Sequence, residues 1–74
     1  MQFGYVLCSP KRDKVLLISK DTGVKLVPSC KDNIDKAFCL NDMSSVKSIY
    51  EKLREKKLVG KLEVANIQEL YRSV

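Results

Sequence analysis

Asp42-Met43-Ser44-Ser45-Val46-Lys47-Ser48-Ile49-Tyr50-Glu51-Lys52-Leu53-Arg54-Glu55-Lys56-Lys57-Leu58 is the stretch on which the fold turns. Met43, Val46, Ile49, Tyr50 and Leu53 recur at the three- and four-residue steps that stack side chains on one face of an α-helix, and the stem of Lys57 extends the same stripe. The spacing predicts a helix from Asp42 to about Leu58. Asn41-Asp42 offers the N-cap, Gly60 reads as the C′ residue, and Lys56, Lys57 and Lys61 suit the negative end of the helix dipole. A helix with one apolar face must bury that face, so the rest of the chain has to supply the surface it packs on.

Working outward, the N-terminal side reads as strands. Phe3 to Cys8 is aromatic and β-branched, Val15 to Ile18 is a short apolar run, and Ser9-Pro10-Lys11-Arg12-Asp13 between them has the composition of a turn in which proline presets φ. Lys20-Asp21-Thr22-Gly23 gives a second turn with Gly23 in the left-handed region, ahead of Val24, Lys25, Leu26 and Val27, and the meander ends at Pro28. Residues 28–36 are mostly polar and read as a surface loop pinned by Ile34. Ala37 to Leu40 is a brief apolar run leading into the helix.

On the C-terminal side, Leu62 to about Ile67 alternates like a strand. Beyond it two readings stay open, an extended strand or a terminal helical turn carrying Leu70, Tyr71 and Val74. Asn66 followed three residues later by Glu69 has the form of a capping box. The expected fold is α+β, an antiparallel β-meander packed on one amphipathic helix in the order β-β-β-(β)-α-β, as a single domain over residues 1–74. One sheet face should be covered by the helix and the other left open to a partner.

With 74 residues the chain buries only about 60% of the surface its unfolded form exposes, which leaves no room for a second domain. Hydrophobic content of 45% is too high for a disordered chain. There is no histidine, which removes Cys/His zinc sites and the commonest general base. Cys8, Cys30 and Cys39 are odd in number, with spacing that fits neither a metal knuckle nor a disulfide framework, so free thiols in a cytoplasmic protein are expected. No apolar run approaches the roughly 20 residues of a membrane span, and the N-terminus lacks the basic and apolar regions of a signal peptide.

The charge balance carries the functional expectation. Lys and Arg number 14 against 9 Asp and Glu, for a formal +5. The excess falls into two clusters: Lys11, Arg12 and Lys14 in the first turn, and Lys47, Lys52, Arg54, Lys56, Lys57 and Lys61 on and after the helix. Together they are candidates for a polyanion-contacting surface, against the competing reading of an ordinary solvated face. Phe3, Tyr5, Phe38, Tyr50 and Tyr71 are the aromatic candidates for base stacking; Phe3 and Tyr5 share a strand face that would form a platform, whereas Tyr50 lies on the core stripe. Glu51 and Glu55 are one helical turn apart among basic neighbours and read as surface charge pairs rather than metal ligands. Gly4, Gly23 and Gly60 stand singly, so no phosphate-cradling loop is present, and no histidine is there to activate a serine.

The hairpin from Gly4-Tyr5-Val6-Leu7 through Asp13-Lys14-Val15-Leu16-Leu17-Ile18 resembles the opening of a Nudix hydrolase. That resemblance implies Mg²⁺-dependent nucleotide hydrolysis, but the family's Gly-x5-Glu-x7-Arg-Glu-x2-Glu-Glu helix has no counterpart here. In size and style the whole chain resembles the small accessory proteins that bacteriophages encode for host takeover or anti-defence. What this implies is a stoichiometric binder of a host protein or nucleic acid, RNA or DNA, acting in the host cytoplasm. No enzyme activity, cofactor or membrane is expected. The alternative is a protein inhibitor or a homodimer that uses the open sheet face or a sheet edge.

Overall fold

The computed structural model describes residues 3–21 and 23–73. Thr22 of the second turn and Val74 of the terminal segment lie outside that description. The described residues form strands β1 (Tyr5–Cys8), β2 (Lys14–Ser19) and β3 (Gly23–Pro28), a short helix α1 (Lys31–Lys36), strand β4 (Cys39–Leu40), helix α2 (Met43–Glu55), strand β5 (Glu63–Asn66) and helix α3 (Ile67–Ser73). The fold is α+β with an antiparallel sheet, as the sequence suggested. Besides α2 it holds α3, the terminal helical alternative left open by the sequence, and α1, which was not expected.

β2 and β3 form a regular ladder from Lys14 opposite Pro28 to Ser19 opposite Gly23, and Gly23 adopts the left-handed φ of 74° that its turn requires. β1 is the central strand. One of its edges pairs with β5 over its full length, from Tyr5 opposite Asn66 to Cys8 opposite Glu63. Its other edge is divided, with Cys8 opposite Val15 of β2, then Val6 and Tyr5 opposite Cys39 and Leu40 of β4. The chain entering β4 is wedged between the diverging strands, where the Phe38 N–H donates to the Leu16 carbonyl at 3.1 Å.

Gly4 makes this junction possible. Its φ is 116°, and a Cβ there would stand 2.4 Å from the Leu40 carbonyl oxygen, so only glycine lets β4 approach β1. The Gly4 carbonyl also accepts the Ile67 N–H at 2.9 Å, which fixes the start of α3.

Both faces of the sheet are covered around β1, which corrects the expectation of an open face, while farther out on the α2 side Ile18 and Leu26 of the β2–β3 hairpin stay exposed. On one side Val6, Cys8 and Val15 pack with Ile34 and Ala37 from α1 and its exit, and with Ala65, Ile67 and Leu70 from β5 and α3. On the other, Leu7 and Leu16 pack with Val46 of α2 and Leu62. Because side chains alternate across a strand, β1 can serve both layers only if successive residues are all apolar. Val6, Leu7 and Cys8 are indeed fully buried.

α1 replaces the loop expected over residues 28–36. It is one and a half turns long, buries only Ile34, and is held at its start by the Asn33 side-chain amide donating to the Pro28 carbonyl at 2.8 Å. In α3 the helical reading of the terminal segment prevails, with the Asn66 carboxamide oxygen accepting the Gln68 N–H at 2.8 Å as a cap. The Tyr71 hydroxyl donates to Asp35, tying α3 to α1.

α2 begins as expected, Asp42 accepting the Ser44 N–H and the Ser45 hydroxyl. Its buried stripe is narrower than the periodicity implies. Val46 is fully buried and Tyr50 and Leu53 pack against the same cluster, but Ile49 is only half-buried and Met43 is exposed. The helix also stops earlier, at Glu55, and Gly60 is not its C′ residue. Lys57 takes that position with φ 59°, its N–H donating to Arg54 O and the Leu58 N–H to Leu53 O, both at 3.0 Å. This is the Schellman closure, made here by lysine in place of the usual glycine.

Candidate functional site

Strand register decides where the basic residues go. Cys8 stands opposite Glu63, so the β1–β2 turn that follows Cys8 and the α2–β5 segment that precedes Glu63 leave the sheet at the same end. Lys11, Arg12 and Lys14 therefore share that end with Lys61, and with Lys56 and Lys57 at the close of α2. All six are exposed. Lys52 and Arg54 lie on the last turns of α2, directly before it. Lys47 is set apart, one turn into the helix, on a groove between α2 and β5.

The first turn is closed by its own hydrogen bonds. The Arg12 N–H donates to the Ser9 carbonyl at 2.8 Å and the Ser9 N–H to Lys14 O at 3.0 Å. The Ser9 hydroxyl accepts the Lys14 N–H at 3.1 Å and donates to Asp13 at 2.5 Å. That hydrogen bond, opposed by desolvation and aided by the Asp13 backbone N–H and then by the Lys14 and Lys11 charges, holds the Asp13 carboxyl below its usual range. Asp13 is thus an anion at neutral pH and trims the positive field of the turn. Arg12 reaches α3, where its guanidinium lies 3.5 Å from the Glu69 carboxylate, both side chains being largely solvated. An exposed pair of this kind contributes about 0–1 kcal/mol.

The second loop is held by a residue that the helical pattern identified only as packing. The Tyr50 hydroxyl accepts the Leu62 N–H at 2.8 Å and donates toward Gly60 O at 3.4 Å, so one phenol fixes the course of residues 60–62. Arg54 donates to the same oxygen at 2.9 Å and its guanidinium lies 5.7 Å from the ring centroid. Burial opposes ionisation of Tyr50, but the Leu62 N–H, the Arg54 guanidinium and the Lys61 charge together hold the phenol below its ordinary value. Arg54 is consequently engaged with Tyr50 rather than directed wholly at solvent. No local sequence signal marks this clamp, because its partners are brought together only by the α2–β5 connection.

The groove between α2 and β5 has a volume of about 540 Å³ and is lined by Met43, Lys47, Tyr50, Glu51, Leu62, Glu63 and Val64. It is shallow and of mixed charge. Among the described residues no group of three or more His, Cys, Asp or Glu side chains is placed to hold a metal ion. The stacking platform expected at Phe3 and Tyr5 is not formed. Tyr5 packs into the α2-side core, and Phe3, 69% exposed, lies at the end of the sheet away from the basic loops.

The three cysteines are free thiols, Cys8 buried, Cys39 half-buried and Cys30 exposed. Burial pushes Cys8 and Cys39 upward in pKa. No helix is long and apolar enough to cross a membrane among the described residues. Compared with known proteins, the chain matches no family model, no curated protein and no solved structure.

Proposed function

We propose that this chain is a small, non-catalytic binding protein that engages the phosphate backbone of nucleic acid through the basic end of its sheet. The observation that carries the reading is the convergence there of Lys11, Arg12 and Lys14 with Lys56, Lys57 and Lys61, groups far apart in sequence. Clustered cations displace condensed counterions from a polyanion, and that release supplies sequence-independent affinity. Asp13, Glu63 and Glu69 border the patch and limit it to the two loops. A stoichiometric role of the kind that small phage accessory proteins play fits such a surface, since occupying a nucleic acid needs no catalytic group.

A second reading, a protein inhibitor or homodimer joined through a sheet edge, has one observation in its favour. Leu26 on β3 and Ile18 on β2, which share one sheet face, are 40% and 42% exposed. Against it, β3 carries Lys25 at its middle and Pro28 at its end, features that discourage strand addition.

Binding of labelled oligonucleotides to the purified chain tests the proposal. Affinity should fall steeply between about 50 and 200 mM salt, and a partner captured from lysate should be lost after nuclease treatment. No binding at low salt, or a protein partner retained after nuclease, would transfer support to the edge-mediated reading.

A further inference from the structure

Arg12 and Lys57 are the only non-glycine residues with positive φ among the described residues, at 60° and 59°. Left-handed backbone is unfavourable for any side chain with a Cβ and free of that penalty for glycine, which is why helix closures and tight turns usually place glycine there. Here both positions carry a cation, and both belong to the two loops that leave the sheet at the basic end. Such departures from a local backbone rule gather where a side chain is needed for something other than folding. Arg12 points to the α1–α3 side, toward Glu69, while Lys57 closes the helix on the opposite face. The two tips therefore straddle the end of the sheet.

Resting on the phosphate-backbone reading, we propose that Arg12 and Lys57 are paired anchors for the two phosphate rows of a nucleic-acid duplex, held without contact to the bases. A duplex presents phosphates on two strands and at higher charge density than a single strand. Among the described residues the one exposed aromatic, Phe3, is at the far end, and Tyr5, Phe38, Tyr50 and Tyr71 are half-buried. Tyr5 and Tyr50 pack on the α2-side core, and Tyr71 is bonded to Asp35. Glu69 orients Arg12 in the free protein, and a phosphate would take its place.

The test uses Lys57→Gly and Arg12→Gly, with Lys57→Arg as the charge-conserving control, measuring melting temperature and binding to a short labelled DNA duplex and to its single strand. Lys57→Gly should melt a few degrees higher than the parent yet bind duplex several-fold more weakly, with its salt slope reduced by about one. Arg12→Gly should keep its stability and lose binding likewise, Lys57→Arg should bind as the parent does, and duplex should be preferred to single strand. The proposal is overturned if either glycine variant binds duplex with unchanged affinity and slope, or if the single strand binds tighter. If the parent chain binds neither form at low salt, the polyanion reading itself fails, an outcome distinct from both.

Discussion

Gly4 shows how much of this architecture rests on a missing side chain. At φ 116°, with the Leu40 carbonyl oxygen 2.4 Å from where a Cβ would stand, Gly4→Ala combines a disfavoured backbone with a clash against another strand's backbone. Neither partner can yield without separating β4 from β1. The substitution should lower stability by on the order of 3 kcal/mol, lowering the melting temperature by about 10 °C or more in a domain of this size. A shift of only one or two degrees, read by circular dichroism, would mean that β4 does not approach β1 this closely. The thiols give a second check at this scale. Reactivity follows thiolate fraction and access, so native alkylation should proceed in the order Cys30, Cys39, Cys8, with Cys8 modified only on unfolding. Because burial raises the Cys8 pKa above its unfolded value, its contribution to stability is intact below the ordinary thiol range and is lost as pH rises through the raised folded value. Peptide mass spectrometry after timed alkylation reads the order, and early labelling of Cys8 would contradict its burial.

At the level of elements, legibility tracked how local each signal was. The meander, the Asp42 cap and the body of α2 are written in contiguous sequence, and each appears where the pattern put it. α1 is not written that way: over Lys31–Lys36 only Ile34 is apolar, so the segment looks like a solvated loop, and it is helical where Ile34 packs into the core formed by β1, β2 and α3. α3 was half-legible, since Asn66 and Glu69 allowed a helix but Leu62 to Ile67 equally continued a strand. The covered second face did leave a trace. Val6-Leu7-Cys8 and Val15-Leu16-Leu17 are unbroken apolar runs, the pattern of strands buried on both sides rather than one. Within α2, periodicity overstates the core by including Ile49. Val46→Ala should therefore lower stability by about 2 kcal/mol, whereas Ile49→Ala should lower it by less than about 1 kcal/mol. Equal losses in chemical denaturation would restore the broader stripe that the sequence alone implies.

Across the whole molecule, the candidate residues were legible but their arrangement was not. Counting charges picks out Lys11, Arg12 and Lys14 and the cations around Lys56 and Lys61, yet only the β1–β5 register puts the two groups at one end. That same packing draws Arg54 toward Tyr50 and leaves Lys47 on the groove beside β5. Closing α2 with Lys57 rather than Gly60 is likewise a matter of tertiary fit, since glycine is the residue by which such closures are usually read.

The most direct measurement of whether the basic end forms one binding surface is the salt dependence of duplex binding for two charge-reversed variants. One reverses Lys11, Arg12 and Lys14 and the other Lys56, Lys57 and Lys61, and circular dichroism verifies that each stays folded. All six are exposed, so reversal should disturb folding little, apart from loss of the Arg12–Glu69 contact. A single surface predicts that either variant alone weakens binding and flattens the dependence of log affinity on log salt, by roughly one unit for each phosphate contact removed. If both folded variants bind duplex with the parent's affinity and slope, the basic end is a solvated surface and not a phosphate-binding one.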